Sequence, residues 1–282
     1  MTWKPNARVI ADSLSPDGVR LTTLEVEMHR FVLAEFNTHR VLSRNSASSR
    51  AIPYKKMRDK ALNNLAYPVS WPAEQKGMQG GAELDDQTVT TAREFWESAR
   101  DEAVKHADAL HVWGVHKSVI NRLLEPFIPH KAIVTATDWD GFFEQRLHPD
   151  AQPEIHELAK QMALAMRLST ITTLDPGEWH TPYISESDKE DILASHWEMH
   201  FDNPIDAVLA VSSARCARVS YETHDGVRDP EKDFELYFRL KDHKPAHASP
   251  FEHVARPVVP GSLYHSSNFT KWEQYRHILG LG

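Results

Sequence analysis

A Ser-Pro-Asp-Gly turn at residues 15–18 separates two strand-forming runs, 7–13 and 19–27. Proline and glycine in those places suit a tight turn, so the chain opens as two strands joined by it. The next stretch, from His29 to Leu42, spaces Phe31, Val32, Phe36 and Leu42 at roughly helical intervals. That spacing predicts a helix that carries Arg40 and puts Arg40 and Arg44 on one face. The Ser/Asn-rich run from Ser43 onward favours turns and caps, because such side chains compete for backbone hydrogen bonds.

Further along, residues 68–85 carry Pro68, Pro72, Gly77, Gly80 and Gly81 and read as a long loop, a candidate lid. A long helix is expected over 87–113, with Phe95, Trp96, Ala103, Ala107 and Leu110 near one face, and a second over 115–124, carrying Arg122. The β-branched run 132–137 reads as a buried strand. Asp138 is placed to cap a short helix ending at Arg146, and Pro153 to start another that reaches Leu168. Residues 173–188 have the Pro/Gly punctuation of an ordered loop. Helices over 204–218 and 230–242, a turn leading into a strand over 247–259, and an aromatic, basic closing helix over 268–279 complete the reading.

Charge is distributed unevenly. The chain has net charge −8, yet residues 39–60 hold seven Lys/Arg against the single acid Asp59. A positive island in an acidic protein is a candidate anion site, and a hydroxyl-rich turn flanked by guanidiniums suits a phosphate. A solvated basic loop is the alternative on composition alone. The pI of about 6.1 argues against a nucleic-acid-binding surface. Cys216 is the only cysteine, which excludes an intrachain disulfide and a multi-cysteine zinc site. The first residues, Met-Thr-Trp-Lys-Pro-Asn, form no signal core, and no run approaches the ~18 apolar residues of a membrane span. A cytosolic protein with no membrane partner is expected.

Several clusters invite chemistry. His196 and His200 stand at i and i+4, the spacing of a metal pair on a helix, but no third ligand is identifiable, so no metal site is assigned. A metal-dependent nucleotide hydrolase built on that pair is the alternative from another class. No Walker loop or Gly-x-Gly-x-x-Gly occurs. His247-Ala-Ser-Pro-Phe-Glu-His253 joins a rigid Ser-Pro turn to a carboxylate and two imidazoles, and Arg146 ends an aromatic helix.

Taken together these residues resemble the flavin-dependent thymidylate synthase family, whose signature is Arg-His-Arg, seven residues, then Ser. Thr38-His39-Arg40, seven residues and Ser48 reproduce all but the first arginine, with Asn45 and Arg50 in register. Asn121-Arg122-Leu-Leu-Glu-Pro resembles a second family segment, and Arg146 with Asp150-Ala-Gln-Pro-Glu-Ile a third. Ala217-Arg-Val-Ser-Tyr221 and His247 to His253 look like segments that precede the signature in the ordinary family, yet here they follow it. The order suggests a circularly permuted, phage-type member, located in the host cytoplasm if phage-encoded. The resemblance implies one catalytic domain over 1–282, with 20–170 resembling the family's later half and 205–256 its earlier half.

The resemblance implies an α+β fold, an antiparallel sheet with packed helices, and a homotetramer whose active sites are shared between subunits. It implies FAD as cofactor, with methylenetetrahydrofolate and NADPH as co-substrates, and conversion of dUMP to dTMP. Methylation of dCMP, or hydroxymethylation of dUMP or dCMP, is the alternative in the same site. Ser48 and Arg146 are the implied catalytic residues. Glu35, Ser48, Arg50, Arg122 and Arg146 would hold the nucleotide, and His39, Arg40, Asn45, Ser220, Ser249 and Glu252 the FAD. Departures mark rebuilt contacts: Thr38 replaces an arginine, Glu35 a glutamine, Ser46 a glutamate, and Thr135 and Thr137 an asparagine and an arginine of the flavin site. The loop 177–180 and the tail with Gln274 and Arg276 are candidate replacements.

Overall fold

The computed structural model describes residues 3–222, 228–259 and 268–281. Its centre is a five-stranded sheet of β1 (Asn6–Leu14), β2 (Arg20–His29), β3 (Ser43–Ser46), β4 (Pro129–Ala136) and β5 (Thr172–Thr173), in the order β3-β4-β2-β1-β5. All neighbours are antiparallel except the short β1–β5 pair. Gly18, at φ +75°, turns the chain between β1 and β2.

The two faces of the sheet follow from the period of two. Leu24, Val26 and Met28 of β2, with Ala132, Val134 and Ala136 of β4, point to one side. There they meet α6 (Pro153–Leu168), whose buried Ile155, Leu158, Ala159 and Met162 form a stripe at i, i+3, i+4 and i+7. Phe142 of α5 (Asp140–Arg146) closes that core. The opposite face carries Thr23, Glu25, Ile133 and Thr135, and is covered by the C-terminal part of the chain, with Cys216 and Val219 packed on Ile133.

That covering part is built on α8 (Pro204–Arg218), paired with α9 (Pro230–Asp242) and α7 (Glu186–Leu193). Proline opens α8 and α9, with Asn203 and Asp229 accepting the first free amides. Arg215 ties the three helices together, donating to Asp188 at 2.6 Å and to Asp233 at 3.1 Å, with its own side chain only 3% exposed. A third core joins α2 (Tyr54–Asn63) to α3 (Asp86–Val112) through Met57, Ala61, Val104 and Ala107. Among the described residues no helix is long and apolar enough to cross a membrane.

The α+β architecture and the strand and helix positions agree with the sequence reading, with three corrections. The helix expected from His29 to Leu42 is one 3-10 turn (Arg30–Val32) and one α turn (Leu33–Phe36). Thr38 Oγ1 bonds the Glu35 carbonyl at 2.7 Å, and the chain then turns. Arg40 therefore lies in a turn and Arg44 in β3, not on one helical face, because pairing with β4 gives the Ser/Asn run better backbone partners than a helix would. The expected 115–124 helix is α4 (Lys117–Ile120) followed by a 3-10 segment, Asn121–Phe127, containing Pro126. Residues 68–85 are a loop, as expected, cross-linked by a single bridge between Pro72 and Glu83. The tail forms a short strand, Trp272–Gln274, paired with Ala255–Pro257, and then a single turn, Tyr275–Ile278.

Arg215→Ala leaves Asp233, fully buried, short of a counter-charge. Urea unfolding at neutral pH should show a loss of about 3–5 kcal/mol; an unchanged midpoint would mean that this ion network does not hold the C-terminal helices.

Candidate active site

The signature turn is anchored from three sides. Ser48 N–H donates to the Ser220 carbonyl at 2.9 Å. Asn45, in β3, donates its amide to the Cys216 carbonyl at 3.0 Å and accepts from Ser249 Oγ at 3.2 Å. Asn121, completely buried, donates to the carbonyls of Ser49 and Ile52 at 2.7 and 3.0 Å. Segments far apart in sequence thus fix one thirteen-residue turn. Asn45, Ser48, Arg50, Ser220 and Ser249 all line a single pocket of about 440 Å³. Arg50 is exposed, and among the described residues it makes no hydrogen bond or ion pair.

Arg146 belongs to a second cluster. Its Nε donates to His39 Nε2 at 2.8 Å, its fork pairs with the Glu35 carboxylate, and Nη2 reaches Thr38 Oγ1 at 3.5 Å. A guanidinium cannot accept, so His39 Nε2 is the acceptor and the imidazole is neutral with its proton on Nδ1. Burial lowers the His39 pKa, and the neighbouring Arg146 and Arg44 lower it further. The ring packs edge-on against Phe142, with centroids 5.0 Å apart. Glu35 and Arg146 line a cleft of about 1380 Å³ between the 70–83 loop and the start of α6, and no lining residue is common to it and the Ser48 pocket. The place of the missing signature arginine is therefore taken by a threonine that Arg146 itself contacts.

Arg44 Nη1 donates to the His39 carbonyl at 2.6 Å. Glu252 is paired with Arg276 of the tail, and buried Gln274 lies 3.2 Å from both Ser43 Oγ and the Glu252 carbonyl. Thr137 Oγ1 accepts from Thr270 N–H at 3.0 Å. The tail thus meets β3, Glu252 and one of the two substituted threonines. Arg40 is exposed. Arg122 stands apart from both pockets and pairs with Glu125 at 2.7 Å.

Sequence reasoning missed one feature. Ser13, His180, Thr23, Thr135 and His253 form a buried chain, with successive polar atoms 2.8, 2.7, 2.7 and 2.8 Å apart. Its sequence signals are separate ones, Thr135 as a departure, His180 in the 177–180 loop and His253 in the Ser-Pro turn, with nothing to join them. Cys216 is buried and burial pushes its thiol up, so it offers no thiolate. His196 and His200 flank a 3-10 turn, Trp197–Met199, rather than sharing a helical face, and His200 pairs with Glu231 at 3.5 Å. Among the described residues no group of three or more His, Cys, Asp or Glu could hold a metal ion.

With this geometry in view, the family model described as "Thymidylate synthase complementing protein" matches residues 19–168, more than half of the 282-residue chain. The chain belongs to that family and is a thymidylate synthase-like methyltransferase. Solved structures similar to it include a UMP/dUMP methylase, PolB, from Streptomyces cacaoi bound with 5-Br UMP, at 16% identity and TM-score 0.48, covering 58% of this chain and 88% of that one. The same methylase bound with 5-Br dUMP gives 17% identity and TM-score 0.46, covering 58% and 90%. No curated protein matches the chain in sequence.

Burial holds His180 and His253 at about 3, far below the ordinary value of 6.5, so both are neutral in the folded protein. The unfolded chain takes up those protons below about 6.5, so the stability they contribute is complete above that pH and is lost as pH falls towards 3. The urea midpoint should therefore drop between pH 7.5 and pH 5, and Thr135→Val should lower it at both; a flat profile would contradict neutral burial of the pair.

Proposed function

We propose that the protein transfers a one-carbon unit from methylenetetrahydrofolate to position 5 of a pyrimidine deoxynucleotide, with dUMP converted to dTMP and with FAD as cofactor and NADPH as its reductant. The observation that carries this reading is the pairing of a carboxylate-free Ser48/Arg50 pocket with a guanidinium, Arg146, oriented by a neutral imidazole. Ser48 and Arg50 hold the nucleotide phosphate, as an arginine fork and a hydroxyl suit its dianion. Arg146 faces the pyrimidine and polarises a ring carbonyl, which favours electron flow to position 5. His39 fixes the direction of Arg146 without adding a second charge.

The residue set fits a dinucleotide. Arg40 is exposed with no hydrogen bond or ion pair among the described residues, and Ser220 and Ser249 line the Ser48 pocket. His39, Arg40, Asn45, Ser220, Ser249 and Glu252 would hold FAD, which when bound supplies the electrons that turn a transferred methylene into a methyl group. Gln274 and Arg276 support Glu252 in place of the family's lost contacts. With Cys216 buried, activation rests on electrostatics instead of a thiolate.

The Ser48/Arg50 pocket and the Arg146 cleft act together across a subunit boundary, each subunit lending one half, with Arg122 contributed from outside both halves. The unit is a single catalytic domain over 1–282 in permuted order, assembled as a homotetramer. One observation favours dCMP as a second acceptor: Glu35 is a carboxylate, which accepts from the exocyclic amine of cytosine, where uracil presents only an oxygen.

Purified protein with reduced flavin, methylenetetrahydrofolate and either dUMP or dCMP should yield a C5-methylated product identified by mass. Arg146→Ala should lower kcat/KM by about 10²–10³-fold, and Glu35→Gln should shift preference towards dUMP. A flavin-free protein that forms no product from either nucleotide would defeat the reading.

A further inference from the structure

Three residues to which the proposed function gives no role, His116, Ser118 and His247, also line the Ser48 pocket. His116 and Ser118 form one wall and His247 another. None of the thirteen lining residues is Asp or Glu, in a chain of net charge −8. Five hydroxyls, an arginine and two imidazoles converge there instead, the chemistry of an anion site.

His116 is built into this wall. Its Nδ1 accepts from the Ser118 backbone N–H at 3.2 Å and lies 2.8 Å from Ser118 Oγ. A ring nitrogen that accepts carries no proton, so the neutral ring holds its proton on Nε2. One nitrogen anchors the ring and the other is a donor. The segment is tied to the signature turn by Lys117 Nζ, which donates to the Ala51 carbonyl at 2.6 Å, one residue from Arg50. On the other wall, His247 N–H donates to the Leu240 carbonyl at 3.0 Å and its ring rests edge-on against His243, with centroids 4.6 Å apart.

We propose that His116, with Ser118 and His247, completes a phosphate pocket around Ser48 and Arg50. Its ligand is a phosphate monoester or the diphosphate of a dinucleotide; only the choice between these rests on the function proposed above. His116 Nε2–H donates to a phosphate oxygen, and Arg50 supplies the charge.

The test is calorimetric titration of the full chain with inorganic phosphate, dUMP, deoxyuridine and FAD. His116→Asn keeps an acceptor for the Ser118 N–H but removes the Nε2 donor. It should melt as the wild type does, while inorganic phosphate and one of the two phosphate-bearing ligands bind about tenfold more weakly. Deoxyuridine should be unaffected, and the longer His116→Gln should recover part of the loss. His247→Ala, which touches no helix cap, should weaken the same ligands if His116→Asn fails to fold. Weakened dUMP assigns the pocket to the nucleotide, and weakened FAD to the flavin. A wild type that binds no inorganic phosphate would overturn the proposal. So would a His116→Asn protein that binds every ligand unchanged, or one that loses deoxyuridine and dUMP equally. Failure of the proposed function would show separately, as phosphate binding without product formation.

Discussion

The pairing of Ser43–Ser46 with β4 is the constraint on which the rest of the site depends. Once those four residues become the edge strand, their side chains must alternate. Ser43 and Asn45 turn towards the C-terminal part of the chain, where Gln274, the Cys216 carbonyl and Ser249 meet them. Arg44 turns elsewhere and bonds the His39 carbonyl. A helix through this region would have spread these contacts around a cylinder; the strand gathers Ser43 and Asn45 on one side and leaves Ser48 and Arg50 at its exit.

Electrostatics divides the site into two. The pocket at the strand's exit contains one arginine, two imidazoles and hydroxyls without a carboxylate, and the cleft beside α5 contains Arg146 among acids that include Glu35, Glu144 and Glu154. The proposed function puts phosphate in the first, and a ring with both donors and acceptors in the second. His39 is the joint. As a neutral acceptor for Arg146 it orients a charge without repelling it, and burial against Phe142 keeps it neutral.

Much of the framework was legible in the sequence because its signals are local. Pro153, Pro204 and Pro230 open helices, Gly18 closes a hairpin, and the β-branched run of β4 is buried on both faces. The helix expected across Arg40 failed because apolar spacing over so few residues does not distinguish a helix from two turns and a strand whose partner lies some ninety residues away. The five pocket residues carried over by family resemblance do converge, whereas Arg122 does not join them. The buried chain from Ser13 to His253 was invisible, since its members come from four distant segments and each alone reads as an ordinary polar residue. Thr135 was noticed only as a departure, and its partner His253 only as part of a turn.

Under the proposed function, the Arg50 pocket and the Arg146 cleft are halves of one active site lent by different subunits. Mixing inactive Arg50→Ala and Arg146→Ala proteins after joint unfolding and refolding tests it directly, because mixed pairs would contain one intact site. Recovery to about a quarter of wild-type activity is expected. A mixture as inactive as its two components would contradict it.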